Sequence, residues 1–315
     1  MSLKSKRYVF RPFEYQDAFN FFSLQSNSFW LPTEVSMERD VLDWKTKLSE
    51  PEKDVVINTL RLFTQMEIAV QDNFWNVVPK LFKKPEIAMM SASFANMESI
   101  HTWGYSYLND SLKLPESEFA AFVQEPTMKA KLDYFCQKRS NTPLFLATLT
   151  MLEGVSLFSS FAILANFSRF NKLLGVQQII SFSARDEGLH AEASSWLFNT
   201  YKKEFPKEFT KELGDEIKEM TRVVVALEDD YIDRIFKLAP TGIEGLTPEE
   251  VKTYVRFRAN SKLIDLGLKP LYTKAKGHNL QWWELMLGGI KRTDFFSQRV
   301  DSYSLGKISF DGVEF

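Results

Sequence analysis

Apolar residues recur every three or four positions along most of the chain, which is the spacing of one face of an α-helix. Patterns that alternate apolar and polar residues, as half-buried strands do, are weak. We predict helices over about 50–78, 85–108, 143–167, 176–201 and 209–238, with further helices starting in the segment PESEFAAF and after Thr247. The connections are short, so the pattern predicts an all-α protein built as one helical bundle.

Three of the predicted helices begin with capping signals. Ser49 is followed three residues later by Glu52, and Thr247 opens a similar motif; both are typical of a capping box, in which side chain and backbone bond reciprocally at the helix start. Thr142 and Pro143 fit the N-cap and the first position of the longest apolar helix, because proline lacks the N–H that this position leaves unbonded.

The longest apolar run, residues 143–165, is long enough to cross a membrane. It contains Glu153 and several Ser and Thr, and a charged group at the centre of a bilayer is costly. We therefore expect a buried helix in a soluble protein that does not enter a membrane.

Composition narrows the class of protein only slightly. The 315 residues are 44% hydrophobic and 25% charged with a formal net charge of −2, and they lack the long basic run that favours nucleic-acid binding. Cys136 is the only cysteine, so no internal disulfide can form, and the N-terminal residues lack an apolar stretch of signal-peptide length. These features predict a cytoplasmic protein that binds no nucleic acid.

The helical pattern stops after about Arg292. The rest of the chain mixes charge, glycine and isolated aromatic residues without helical spacing. We therefore predict a helical domain over residues 1–295 and a flexible C-terminal tail over residues 296–315.

Two of the three histidines end the same motif, Glu-x-x-His. The motifs are Glu98 to His101 and Glu187 to His190. Residues three apart on a helix project to one face, so the carboxylate and the imidazole of each motif can reach the same ion. A single Glu-x-x-His is more often a surface pair than a ligand set, but its repetition in one chain is informative.

A further glutamate in a strongly apolar stretch precedes each motif: Glu67 precedes the first and Glu153 precedes the second. A lone glutamate of this kind usually pairs with a basic residue, yet four buried carboxylates without compensation would be very unfavourable. Four helices that supply Glu, Glu-x-x-His, Glu and Glu-x-x-His are typical of a dimetal-carboxylate site in a bundle core. The oxygen and imidazole ligands favour two iron or manganese ions per chain. The predicted ligands are Glu67, Glu98, His101, Glu153, Glu187 and His190.

Tyr105 follows His101 by four residues and Glu98 by seven, so it projects from the ligand face. Leu157 and Phe161 follow Glu153 at helical spacing and offer an apolar wall opposite it. Tyr105 is either an ordinary core residue or, beside an oxidising dimetal site in a dry pocket, a residue that is oxidised to a long-lived radical.

The runs FANMESIHTWGYSY, TMLEGVSLFSSFA, SARDEGLHAEA and NSFWLPTEV resemble the small subunit of class I ribonucleotide reductase, and the resemblance extends over nearly the whole chain. It implies a ferritin-like helical bundle with a dimetal-carboxylate site. It also implies that Glu67, Glu98 and His101 bind one metal, and that Glu153, Glu187 and His190 bind the other.

The resemblance also implies roles for residues that spacing alone does not single out. Tyr105 corresponds to the radical tyrosine, Trp30 to the pathway tryptophan, and Asp186 to the acid that links Trp30 to His101. Tyr303 corresponds to the tail tyrosine that relays oxidation, and the final FDGVEF to a peptide that docks on the large subunit.

The implied function is that of the radical-generating subunit of ribonucleoside-diphosphate reductase. The dimetal site activates an oxygen species, and the resulting oxidant is passed to a large subunit that reduces ribonucleotides to deoxyribonucleotides. The resemblance further implies a homodimer and, if the metal is manganese, an activating flavoprotein. Either Tyr105 or the metal pair itself stores the oxidant.

Three positions differ within the family or from its usual pattern. Glu67 stands where many members have Asp, and Ser183 stands where an apolar residue often faces the tyrosine. Gln71, one turn after Glu67, is a further candidate for the surroundings of the metals. The alternatives are a stand-alone ferritin-like dimetal oxidase, which needs no large subunit, and a structural helical bundle without metal.

Overall fold

The computed structural model describes residues 2–275 and 277–289, and its regular secondary structure is helical, with no strand in these ranges. The helices are α1 (Gln16–Asn27), α2 (Glu38–Thr46), α3 (Glu50–Val70), α4 (Val78–Leu81), α5 (Pro85–Ser111), α6 (Ser117–Ala121), α7 (Pro126–Cys136), α8 (Thr142–Met151), α9 (Phe158–Asn166), α10 (Leu174–Glu204), α11 (Lys211–Lys237) and α12 (Pro248–Asp265). Residues 281–289 are also helical. The all-α prediction is confirmed. The predicted tail, residues 296–315, lies outside the described residues.

Two π turns interrupt helices that the apolar pattern predicts as continuous. Gln71–Trp75 follows α3, and Leu152–Ser156 separates α8 from α9. The predictions of single helices over 50–78 and 143–167 were therefore incomplete. A π turn inserts one residue without interrupting the run of apolar side chains, so it leaves little trace in the pattern.

The capping boxes at Ser49 and Thr247 are confirmed, but the cap of α8 was predicted one residue too late. The N-cap is Asn141, whose side-chain oxygen accepts a hydrogen bond from the Leu144 backbone N–H at 2.8 Å. Asn is among the strongest N-cap residues, so it takes the position that was assigned to Thr142. Pro143 then lies in the first turn, where its missing N–H needs no partner.

Four helical stretches form the centre of the bundle. α3 packs on α5, α8 packs on α10, and α10 also contacts α5. Helix α1 lies across α5 and α10, while α11 and α12 cover α8, α9 and the π turn between them. The apolar stretch Thr142–Phe170 has the length and hydropathy of a membrane span, but 94% of its most apolar window is buried inside the protein. It is a core element of the bundle.

Candidate metal centre

Six side chains converge between the four central stretches. Glu67 comes from α3, Glu98 and His101 from α5, and Glu187 and His190 from α10, while Glu153 lies in the π turn between α8 and α9. All six are fully buried. Each Glu-x-x-His motif lies within a helix, so its two side chains share one helical face.

The six residues form two overlapping groups, within each of which the candidate ligand atoms lie within 4.8 Å of one another. The first group is Glu67, Glu98, His101 and Glu187, and the second is Glu98, Glu153, Glu187 and His190. The centroids of the two imidazole rings are 6.2 Å apart. Glu98 and Glu187 belong to both groups, so each carboxylate would be within reach of two ions.

Each histidine points one ring nitrogen into the cluster and the other away from it. Nδ1 of His101 lies 3.0 Å from a Glu187 oxygen, and Nδ1 of His190 lies 2.9 Å from a Glu98 oxygen. The Nε2 atoms face outward. Nε2 of His101 lies 3.3 Å from an Asp186 oxygen, and Nε2 of His190 lies 3.0 Å from the Gln25 amide oxygen. An oxygen acceptor outside the cluster places the ring proton on Nε2 and leaves Nδ1 as a lone-pair donor toward the cluster.

Several polar atoms at the centre have no hydrogen-bond partner among the described residues. They include both oxygens of Glu67 and of Glu187, Oε2 of Glu153 and Nδ1 of His190. Burial and the neighbouring glutamate charges raise the pKa of Glu67 and Glu153 well above the usual range. Buried, unpartnered carboxylates are unfavourable unless a cation is bound. The donor set therefore fits two divalent ions, and its oxygens and imidazoles suit iron or manganese.

Tyr105 lies beside this cluster in an apolar pocket. Its ring stacks on Phe63 with centroids 4.7 Å apart, and Phe63 stacks on Phe161 at 4.8 Å. The Tyr105 hydroxyl is buried without a hydrogen-bond partner in the described part of the chain. Burial and then the charge of Glu67 raise the pKa of Tyr105 well above its usual value, and the Ser183 hydroxyl opposes this shift. The ring is thus close to the ligands and shielded from water.

Trp30 and Asp186 connect to the cluster through His101. The Trp30 indole N–H donates to Asp186 at 2.8 Å, on the same carboxylate oxygen that faces His101 Nε2. The Trp30 and His101 rings are nearly parallel, with centroids 6.0 Å apart. Although burial raises the pKa of Asp186, the Arg185 guanidinium, His101 and the Trp30 N–H together hold it below its usual value. Asp186 is therefore an ionised acceptor between two rings.

Three residues that contact the site were not predicted from the sequence. Gln25 holds His190, Arg185 donates to Asp186 at 3.0 Å, and the Trp75 indole N–H donates to Glu153 at 2.5 Å. Gln25 and Trp75 come from elements that carry no ligand motif, so no spacing rule links them to the cluster. Gln71 instead donates to Ser99. Tyr303 lies outside the described residues.

Comparisons with known proteins point to one family. The family model "Ribonucleotide reductase, small chain" matches residues 7–279. A probable ribonucleoside-diphosphate reductase small subunit of Invertebrate iridescent virus 3 is 30% identical, over 99% of this chain and 88% of that protein. The ribonucleoside-diphosphate reductase subunit beta of Chlamydia pneumoniae is also 30% identical, over 95% of this chain and 91% of that protein.

Solved structures extend the likeness to the fold. The ribonucleotide reductase R2 subunit from Clostridium botulinum matches with a TM-score of 0.79 at 23% identity, covering 87% of this chain and 89% of that chain. The dimanganese(II)-NrdF of Streptococcus sanguinis matches with a TM-score of 0.75 at 24% identity, covering 85% of this chain and 94% of that one. At these identities the likeness concerns the fold, and it confirms the predicted ferritin-like helical bundle.

Proposed function

Because the chain belongs to the ribonucleotide reductase small-chain family, we propose that its buried cluster holds two iron or manganese ions and generates the oxidant for ribonucleotide reduction. The chain is the small subunit of a ribonucleoside-diphosphate reductase, an oxidoreductase that acts together with a large subunit. We assign the two ions to Glu67, Glu98, His101, Glu153, Glu187 and His190.

One observation carries this proposal: two imidazole nitrogens and four carboxylates converge in a dry core, and several of their atoms have no partner among the described residues. A structural bundle would leave these groups uncompensated, at a cost of several kcal/mol per buried charge. Two divalent ions offset the charges of the four carboxylates and use the lone pairs that face the centre. When bound, such ions supply the oxidising power for the removal of one electron from a nearby tyrosine.

Tyr105 is the residue that we propose to be oxidised. Its stacking on Phe63 and its complete burial exclude water, which favours a long-lived tyrosyl radical. Burial, followed by the charge of the neighbouring Glu67, raises the pKa of Tyr105 well above its usual value, so the phenol keeps its proton until it is oxidised. The metal pair itself is the second candidate for the store of the oxidant.

Trp30, Asp186 and His101 are proposed as the route by which the oxidant leaves the core. The Asp186 carboxylate accepts from Trp30 and faces His101 on the same oxygen, so the three side chains form one continuous hydrogen-bonded unit. We propose that Tyr303 continues the route to the large subunit and that the tail around it docks there. A homodimer, an activating flavoprotein for a manganese centre and a cytoplasmic location belong to the same proposal.

A stand-alone dimetal oxidase would retain the six ligands but would not need the Trp30–Asp186 unit. Similarity to reductase small subunits over almost the whole chain supports the reductase function over this alternative. The donor set suits iron and manganese alike, because both ions accept the same oxygen and imidazole ligands.

Metal loading followed by a reductase assay tests the proposal. The metal-free chain is loaded with Fe(II) in air, or with Mn(II) and then the activating flavoprotein. Metal analysis and electron paramagnetic resonance follow, before the large subunit is added. We expect two ions per chain and deoxyribonucleotide formation only with both subunits. His190→Ala should lose metal, whereas His278→Ala should keep it, because His278 packs on Tyr254 and Phe257 and belongs to neither ligand group.

Two results would contradict the proposal. A native chain without bound transition metal would be a structural bundle. A metal-loaded chain that oxidises substrates alone and does not support the large subunit would be a stand-alone oxidase.

A further inference from the structure

The π turn Leu152–Ser156 is the element that carries Glu153, and it is contacted by two helices outside the ligand-bearing set, α11 and α12. A π turn departs from the regular ladder of backbone hydrogen bonds, so its conformation depends more on its surroundings than that of an α-helix does. The direction in which Glu153 points therefore depends on what holds this turn.

A buried ion pair lies behind the C-terminal end of the turn. Lys131 of α7 and Glu228 of α11 are both fully buried, with 2.5 Å between Lys131 Nζ and Glu228 Oε1. The Lys131 ammonium also donates to the Ser156 backbone carbonyl at 3.0 Å. Glu228 accepts from the Ser156 hydroxyl at 2.9 Å and from the Ser159 hydroxyl at 2.6 Å. Both partners of the pair thus bind the last residue of the turn.

Helix α12 holds the middle of the turn. Arg258 donates from Nε to the Gly154 carbonyl at 2.9 Å, and its guanidinium lies 3.5 Å from the centroid of the Phe158 ring. The aliphatic stem of Lys262 lies against Gly154, where an added Cβ would come within 2.5 Å of Lys262 Cδ. Two residues that follow Glu153 in the turn, Gly154 and Ser156, are therefore contacted by cationic side chains from other helices.

The Lys131–Glu228 pair is not well explained by stability alone. Removing two charges from water is unfavourable, and replacing a buried ion pair with apolar residues of similar size is often neutral or stabilising. The hydrogen bonds of this pair are concentrated on Ser156 and Ser159, at the end of the turn that bears a candidate ligand. A positioning role accounts for the pair and for its location.

We propose that Lys131, Glu228 and Arg258 are positioning residues that hold the π turn Leu152–Ser156 so that Glu153 points into the dimetal site. This inference rests on the proposed function, because it concerns one of the proposed ligands. Trp75 restrains the same carboxylate from the other side, through its N–H to Glu153. Trp75 thus restrains the Glu153 side chain, and the three positioning residues restrain the part of the turn that follows it.

The test compares Mn(II) binding by the native chain and by the double variant Lys131→Met/Glu228→Met. The double variant removes both charges together, so neither is left buried and unpaired. Mn(II) is titrated into the full-length metal-free chain, and electron paramagnetic resonance reports the affinity and the coupled signal of the metal pair. We expect the affinity to fall by about tenfold or more, as it does when the residues that orient metal ligands are replaced, and the coupled signal to change.

Lys84→Met is the matched control. Lys84 is also a buried lysine, and its ammonium lies 2.6 Å from Glu14. Its hydrogen-bond partners are Ser5 and Glu14, which belong neither to the π turn nor to the candidate ligands. The Lys84→Met variant should bind Mn(II) with native affinity and give the native signal. Arg258→Met, at a partly exposed position, removes the contact with Gly154 and should alter binding in the same direction as the double variant.

A double variant with native Mn(II) affinity and native signal would overturn the positioning role. The same holds if the only change is a lower melting temperature of the metal-free chain. If the double variant does not fold, Arg258→Met decides by the same two readouts. A native chain that binds a pair of neither Mn(II) nor Fe(II) would instead overturn the proposed function, and this inference with it.

Discussion

His101 and His190 show how far spacing alone can identify a site. The two Glu-x-x-His motifs and the two isolated glutamates are visible in the sequence because helical periodicity brings such residues to one face, and the structure brings all six side chains together. Gln25 and Trp75 were not predicted. Each contacts a candidate ligand by tertiary packing from another element, which no local pattern encodes.

Tyr105→Phe should abolish any tyrosyl radical signal and retain both metal ions. The Tyr105 hydroxyl is buried without a hydrogen-bond partner in the described structure, so its removal should not lower stability by more than about 1 kcal/mol. Electron paramagnetic resonance, metal analysis and thermal melting measure the three effects. Tyr231→Phe is the control, because this second buried tyrosine also has an unpartnered hydroxyl and lies outside both ligand groups. Full reductase activity in Tyr105→Phe would show that the metal pair is itself the oxidant.

Trp30→Phe should keep the metals and the radical but stop turnover with the large subunit. Phenylalanine lacks the N–H that donates to Asp186, and it is much harder to oxidise than tryptophan. Reductase activity and the radical signal are measured on the same sample. Trp196→Phe is the control, since Trp196 donates to Asp17, not to Asp186. Native turnover in Trp30→Phe would exclude Trp30 from the route.

At the level of elements, the long helices were predicted well and their interruptions were not. The predicted helix over 85–108 corresponds to α5, and that over 176–201 to α10, within a few residues at each end. The π turns were missed because an inserted residue shifts the phase of the helix without exposing an apolar side chain. The turn Leu152–Ser156 carries a candidate ligand, so the departure from regular geometry occurs at the site.

Gly154→Ala tests how tightly that turn is packed. The new methyl group would meet the buried stem of Lys262, so we expect the free energy of unfolding to fall by about 1–3 kcal/mol. Gly188→Ala is the control within α10, where an added Cβ meets nothing within 4 Å. That substitution should raise the free energy of unfolding by about 0.5–1 kcal/mol, because alanine is the better helix former. Denaturant unfolding of the metal-free chain measures both; a Gly154→Ala chain as stable as the native one would show that the turn has room to adjust.

At the scale of the whole molecule, the bundle and the tail were predicted from opposite signals. Sustained helical spacing indicates the bundle, and the family comparison matches residues 7–279. The loss of that spacing after about Arg292 indicates a separate tail, with Tyr303 within it. The boundary at residue 295 and the docking role of residues 296–315 stay predictions, because these positions lie outside the described residues.

Truncation after Gly306 should weaken binding to the large subunit while leaving metal content and melting temperature nearly unchanged. The removed residues include the segment that resembles a docking peptide and none of the candidate ligands. Tyr303→Phe is the matched variant, which should bind normally and fail to turn over. Binding is measured by titration against the large subunit. Unchanged affinity after truncation, or full activity of Tyr303→Phe, would remove the tail from the mechanism.

The central claim is that two metal ions lie between four helices, bound by four glutamates and two histidines. Anomalous X-ray diffraction from crystals of the Mn(II)-loaded chain, recorded on both sides of the manganese edge, locates the ions directly. We expect two anomalous peaks roughly 3.5–4 Å apart, as in two-metal sites generally, one beside Nδ1 of His101 and the other beside Nδ1 of His190. The same measurement on Fe(II)-loaded crystals at the iron edge covers the other metal. With both metals, a single peak, no peak, or peaks that lie away from these two nitrogens would contradict the claim.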